Sequence, residues 1–309
     1  MTGTVVRNTG SWYVVRTDNG QLFNCKVKGN FRLKGIRSTN PVAVGDVVDI
    51  APGADTAFIT AIHDRRNYIV RKASNLSKQS HVIAANVDQA ALVVTLRHPE
   101  TNTVFIDRFL ASAEAYRVPV LLVFNKTDLL DEDDRNMLES LSRTYGELGY
   151  TCLAVCALRS QLSTLREALR GKTTLFSGNS GVGKSTLLNA LVPGLGVKTS
   201  EISMSHDTGM HTTTFSEMYD LPENGGAIID TPGIKGFGTF DMEPGEVGHY
   251  FREIFAISHD CRFGDCTHTH EPGCAVLAAL EEGRIAGFRY QSYLSMMQDK
   301  DEGKYRAAF

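Results

Sequence analysis

No stretch of this chain approaches eighteen uninterrupted apolar residues, and its start, Met1-Thr-Gly-Thr-Val-Val-Arg7, has no apolar core of the signal-peptide kind. The expectation is a soluble cytoplasmic protein with no membrane contact. Internal repeats and low-complexity tracts are missing too. A hydrophobic fraction of 42% beside 22% charged residues excludes wholesale disorder and collagen-like order. Six cysteines in 309 residues are too few for a disulfide scaffold. Cys25, Cys152 and Cys156 are scattered, but Cys261, Cys266 and Cys274 crowd into one short segment, which points to metal before disulfides.

A large net charge is also lacking: the sum is −3. It conceals an asymmetry, because residues 1–72 carry eleven Lys/Arg against five Asp/Glu while the remainder is acidic. A basic segment on an acidic chain suggests a polyanion partner for that segment. The plain alternative is a solvated surface that happens to be basic.

What is there fits two or three domains. From residue 4 to 62, short β-like runs (11–16, 22–27, 47–50, 57–62) are broken by Gly, Asn, Asp and Pro, and Asp18-Asn19-Gly20 reads as a hairpin turn. So many strands with no helical period suggest a small closed barrel, of the oligonucleotide-binding (OB) or the SH3-like kind. A basic, then polar linker follows over residues 63–82. Apolar runs at 90–96, 118–124, 152–155, 173–176 and 227–229 then alternate with helical stretches at 103–116, 132–148, 163–170 and 184–191. That alternation predicts an α/β domain on a mainly parallel sheet. The run at 215–219 comes without an intervening helix and predicts an antiparallel edge. Past Gly238 only helical spacing remains, at 246–256, 275–282 and 285–298.

Three motifs carry the chemistry. Gly178-Asn179-Ser180-Gly181-Val182-Gly183-Lys184-Ser185 follows a predicted strand and opens a predicted helix that continues through Thr186. This is the context a phosphate loop requires: backbone N–H groups wrap phosphate oxygens, Lys184 neutralises them, and the Ser185 hydroxyl ligates Mg²⁺. Asn125-Lys126-Thr127-Asp128 closes the strand before it, where a carboxylate accepting from guanine N1–H and the exocyclic amine selects GTP over ATP. Asp230-Thr231-Pro232-Gly233 matches D-x-x-G, in which the Asp holds Mg²⁺ through water and the Gly N–H senses the γ-phosphate. In common GTPases N-K-x-D comes last of the three, whereas here it comes first. A single domain cut and rejoined explains this: residues 90–156 are its last strands and 173–230 its first. Cys156 and Ala157 then fall where a short Ser/Cys-Ala loop backs the guanine base.

A fourth constellation is Cys261-x4-Cys266-x-His268-x5-Cys274, three thiolates and an imidazole suited to tetrahedral Zn²⁺, with His270 as a competing ligand. Four protein ligands close the shell, so the ion is expected to be structural.

On these residues, together with Val82–Asp88 and Gly209–Thr214, the chain resembles the ribosome small-subunit-dependent GTPase A family (RsgA, also called YjeQ) from end to end. The resemblance implies an OB-fold RNA-binding barrel at 1–70, a linker at 71–82, a circularly permuted GTPase domain at 83–237 and a helical zinc-binding domain at 238–309. It selects His268 over His270. It also implies a GTP hydrolase acting late in small-subunit assembly, stimulated by that subunit and its rRNA, and a monomer is expected. The competing class is a nucleotide-gated RNA-binding module in which hydrolysis is incidental. Met210 departs from the family, which often has a basic residue there.

The Gln that follows D-x-x-G in many GTPases is replaced by Ile234, which cannot orient water. His211 is the candidate for that role, and Thr213, among Thr212–Thr214, the candidate to complete the Mg²⁺ shell. Because Gly233 runs on into the zinc domain, loss of γ-phosphate is expected to reorient that domain.

Overall fold

Alternating buried and exposed side chains close the first sixty residues into a barrel. The computed structural model describes residues 1–27, 41–53, 56–72, 80–159, 162–196, 216–221, 223, 225–231, 242 and 244–298. Strands β1 (Thr2–Asn8), β2 (Tyr13–Thr17), β3 (Leu22–Val27), β4 (Val47–Ala51) and β5 (Ala57–Ile62) pair in the order β1-β2-β3-β5-β4, and β4 returns to β1. Every pair is antiparallel except β3–β5. This closed ring with one parallel pair is the OB arrangement and settles the choice against the SH3-like alternative. Val5, Val15, Cys25, Val48 and Ile59 fill the interior without solvent exposure.

The expected linker is partly strand. β6 (Tyr68–Lys72) pairs antiparallel with β7 (Ser80–Ala85) in a separate two-stranded sheet. Basic and polar neighbours hid the alternation of such short runs, whose pairing partner lies across a gap in sequence.

The central sheet places β8 (Gln89–Val94), β9 (Val120–Phe124), β10 (Thr151–Ala154), β11 (Thr173–Ser177), β12 (Ser216–Leu221) and β13 (Gly226–Asp230) in the order β10-β9-β8-β11-β13-β12. All neighbours are parallel except β12–β13. Strands β8, β9 and β13 are buried along their whole length, as strands covered on both faces must be. Helices α1 (Thr103–Ala115) and α2 (Glu132–Glu147) cover one face. Helices α3 (Ser163–Ala168) and α4 (Lys184–Leu191) cover the other. Asn102 and Asp131 cap α1 and α2 by accepting from the N–H of Phe105 and Asp134.

β12 is antiparallel as expected, but it is not an edge. The register of β1 shifts between Val5 and Arg7. Before the shift, Thr2–Thr4 pair with β4; after it, Arg7 and Asn8 pair with Glu217 and Ser216 of β12. The barrel strand thus lends its second edge to the central sheet, which no local sequence pattern announces.

The third unit contains α5 (Arg252–Ser258), α6 (Ala275–Glu281) and α7 (Gly287–Met297). The helix expected over 246–256 is split into a 3-10 turn at Pro244–Tyr250 and α5. Phe251 interrupts it with an extended backbone and a fully buried ring packed edge-on against Tyr293 at 5.7 Å. This unit docks on α1 through a buried cation. Arg289 of α7 reaches Asp107 of α1 and Glu253 of α5, each at 2.7 Å, and Tyr145 of α2 donates to the same Asp107 oxygen at 2.8 Å. The guanidinium also lies over the Phe251 ring at 4.6 Å.

Candidate functional site

The nucleotide motifs meet at the carboxyl ends of β8, β9, β11 and β13. Gly178 leaves β11 with φ 145°, and a Cβ there would stand 2.2 Å from the Val93 carbonyl oxygen of β8. Gly183, at φ 93°, caps α4; a Cβ there would stand 2.4 Å from Asn125 Nδ2. Neither position admits a side chain. Asn125 in turn donates from Nδ2 to the Val182 carbonyl at 2.9 Å, bridging 57 residues of sequence. The Ala157 N–H approaches Asn125 Oδ1 at 3.4 Å. The start of the guanine motif thus holds both the phosphate loop and the Cys156-Ala157 turn.

Lys184 folds back over its own loop, donating to the carbonyls of Gly178 at 2.6 Å and Asn179 at 2.7 Å. Burial pushes its ammonium down to about 8, against the opposing pull of Asp230. Burial likewise pushes Asp230 up to about 6; Lys184 opposes this and Glu217 adds to it. Beside this pair the hydroxyls of Ser177 and Thr231 are buried with no hydrogen-bond partner among the described residues. Polar groups left open at two adjacent strand ends, with one half-buried cation and one buried carboxylate, suit a phosphate and its hydrated Mg²⁺. Ser180, Ser185 and Thr186 lie on the loop and the first turn of α4, none of them buried.

At the N-K-x-D motif, Asp128 Oδ1 accepts from the Cys156 thiol at 3.0 Å. Burial and that carboxylate hold the thiol protonated, above its ordinary range. Thr127 donates from Oγ1 to the Val155 carbonyl at 3.1 Å. Lys126, left-handed at φ 61°, donates to the His98 carbonyl. Thr127, Asp128 and Cys156 line a cavity of about 360 Å³ with Leu130, Leu138 and Arg159.

At the other end of the molecule, the Sγ atoms of Cys261, Cys266 and Cys274 and a ring nitrogen of His268 all lie within 4.8 Å of one another. His268 Nδ1 is 3.5 Å from both Cys261 and Cys274 Sγ, and those sulfurs are 4.0 Å apart. Tetrahedral zinc with bonds of about 2.0–2.3 Å brings its donors to nearly such separations, so the residues fit that ion. His270 points elsewhere, its Nδ1 on the Thr269 hydroxyl at 2.8 Å. The loop is shaped by its own acid: Glu271 accepts from the N–H of Thr267, Thr269 and His270 at 2.7, 3.0 and 3.1 Å. Tyr290 and Tyr293 of α7 clamp it by donating to the carbonyls of His268 and Thr267, each at 2.7 Å. Cys274 caps α6, accepting from the Leu277 N–H at 3.4 Å as a thiolate ligand would.

Residues 62–240 match the RsgA GTPase family model, and residues 2–58 match that of the RsgA N-terminal domain. The chain belongs to the RsgA GTPase family. It is 65% identical to a small ribosomal subunit biogenesis GTPase RsgA of Bacteroides fragilis, and 63% to one named RsgA 2 of Bacteroides thetaiotaomicron, each over 100% of both chains. Its structure is similar to that of YjeQ from Thermotoga maritima, with a TM-score of 0.77 and 35% identity over 96% of both chains. It also resembles YloQ, described as a circularly permuted GTPase, with a TM-score of 0.72 and 29% identity over 96% of this chain and 93% of that one.

An RsgA GTPase with this sheet explains the inverted motif order. The phosphate-loop strand β11 is central, β8 and β9 are reached first in sequence, and β13 and β12 last. Of the expected nucleotide residues, Asn125–Asp128, Cys156, Ala157, Gly178–Thr186 and Asp230 come together. His211, Thr213 and Gly233, with Met210, Pro232 and Ile234, lie outside the described residues. Sequence reasoning missed the turn after β8. The ring of Pro99 stands 3.3 Å from where a Gly181 Cβ would sit, and the His98 carbonyl anchors Lys126. The proline was the only signal there, and by itself it marks a turn without saying what the turn touches.

Proposed function

We propose that this GTPase acts in biogenesis of the small ribosomal subunit, binding the subunit and its rRNA and hydrolysing GTP to GDP and phosphate when bound there. The observation that carries the reading is the Asn125 bridge, which joins a guanine motif to a phosphate loop 57 residues away. In this reading Asp128 reads guanine against Cys156 and Ala157, while Gly178–Thr186 with Lys184 hold the phosphates. Magnesium supplies neutralisation of phosphate charge; Ser185, Thr213 and Asp230 would hold it, and Gly233 would sense the γ-phosphate. His211 would place the attacking water. The Cys261, Cys266, His268 and Cys274 set would hold one structural zinc, and the OB barrel would contact rRNA. The protein would work in the cytoplasm as a monomer; no helix among the described residues is long and apolar enough to cross a membrane.

The deciding experiment is GTP turnover with purified small ribosomal subunits added. Stimulation is expected, and unchanged turnover would remove the ribosome-dependent reading. In the same assay His211→Ala should lower stimulated turnover at least about tenfold with GTP affinity kept, since only a transition-state contact is lost. Full stimulated turnover in that variant would move the role to another group.

A further inference from the structure

The barrel reaches the nucleotide site through one charge. Past the register shift of β1, Arg7 sits in register opposite Glu217 of β12 and donates to its Oε1, from Nε at 2.8 Å and from Nη2. The other oxygen of Glu217 accepts from the Tyr219 hydroxyl at 3.1 Å. On its other edge β12 pairs with β13, and there Glu217 stands in register with Asp230. Directly opposed residues in an antiparallel pair have Cβ atoms about 4.5–5.5 Å apart, on the same face. Two carboxylates therefore face one another at the end of β13, one of them beside Lys184 at the mouth of the phosphate loop. Arg16 offers no spare cation, because it is paired with Asp220 further along β12.

We propose that Arg7, a residue of the barrel, is the positioning residue that balances Glu217 and so keeps an uncompensated carboxylate from facing the bound nucleotide's phosphates. With Arg7 in place, the charges of Arg7, Lys184, Glu217 and Asp230 cancel. Without it the group is left net negative where a polyphosphate has to bind. A barrel engaged elsewhere through Arg7 would thereby loosen nucleotide held in another domain.

The inference rests on the nucleotide site proposed above, and its test separates the two. Equilibrium binding of a fluorescent GDP analogue to the full chain is measured for wild type, Arg7→Ala, Glu217→Gln and the double variant, in EDTA and in excess Mg²⁺. Wild type that binds no guanine nucleotide would defeat the site itself. If wild type binds, Arg7→Ala should weaken binding in EDTA about threefold or more, the size expected of one screened charge acting on a polyphosphate that carries several. Excess Mg²⁺ should narrow that deficit, since the freed carboxylate attracts the cation. Glu217→Gln should tighten binding in EDTA, and adding Arg7→Ala to it should bring binding back to about the wild-type level, since both charges of the pair are then gone. Both single variants break the same ion pair, so a merely structural latch would weaken binding in both. Equal weakening in both, or no effect of Arg7→Ala, overturns the proposal, and the Glu217→Gln result stands independently should Arg7→Ala fold poorly.

Discussion

Asp128 holds a hydrogen bond before any base arrives, because the Cys156 thiol donates to one of its oxygens. This fixes the carboxylate's rotamer at the place where, on the proposed reading, guanine would be selected. Asp128→Asn should weaken GTP and admit xanthine nucleotide, since the amide now faces a carbonyl in place of an amine; competition binding of GTP against XTP measures the exchange. Unchanged affinities for both would put the base elsewhere. Cys266→Ser belongs to the same scale. Removing one of four soft donors should lose about one zinc per chain by elemental analysis and expose residues 255–280 to protease, with nucleotide affinity nearly preserved. Both residue sets were legible because their chemistry demands fixed spacing. The Arg7–Glu217 contact was not, since nothing in either neighbourhood marks two residues 210 positions apart as partners.

Among the elements, α1 carries more than its share. Its inner face packs on the sheet, while Asp107, Arg108 and Glu114 receive α7 and α5: Arg108 donates to Ser295 at 3.0 Å and Arg252 to Glu114 at 2.8 Å. Arg289→Ala would leave Asp107 and Glu253 buried without their cation. A loss of about 3–5 kcal/mol in unfolding free energy is expected from denaturant titration, with α7 the first helix to lose hydrogen-exchange protection. A loss below about 1 kcal/mol would mean the acids find other partners. The helices themselves were readable from apolar period and caps: α4 begins and ends where expected, and α2 starts on its run of acids. The break at Phe251 was hidden, because a buried aromatic at helical spacing looks the same whether or not the backbone turns through it. β6 and β7 escaped for a different reason: their apolar stretches are only a few residues long and sit among basic and polar neighbours, too short to show a period.

For the whole molecule, the placement of the joints matters more than the number of domains. Moving the C-terminal unit against α1 would pull Arg289, only 1% exposed, away from two acids, so the expected reorientation of the zinc domain meets a buried obstacle. The more exposed joint is that of the barrel, made by the two-pair ladder between β1 and β12, the Arg7–Glu217 and Arg16–Asp220 pairs and the isolated bridge from Val44 to Ala84. Distance measurements between labels on α1 and α7 should stay constant between GTP- and GDP-bound forms, while a pair spanning barrel and central sheet should change. A shift in the first pair of several ångströms would restore the zinc-domain lever. The barrel's excess of basic residues leads to another expectation: RNA affinity should fall steeply with salt and drop on barrel deletion, as counterion release requires. Salt-insensitive binding would locate the RNA surface elsewhere. The ladder between β1 and β12 also bears on how this chain can be dissected. A fragment trimmed to the GTPase and zinc units would bare a flank of β12 whose unpaired N–H and C=O groups invite a second copy to add its own strand. Such a fragment is expected to self-associate on concentration, and a soluble version would need a lysine or a proline along β12 to blunt it.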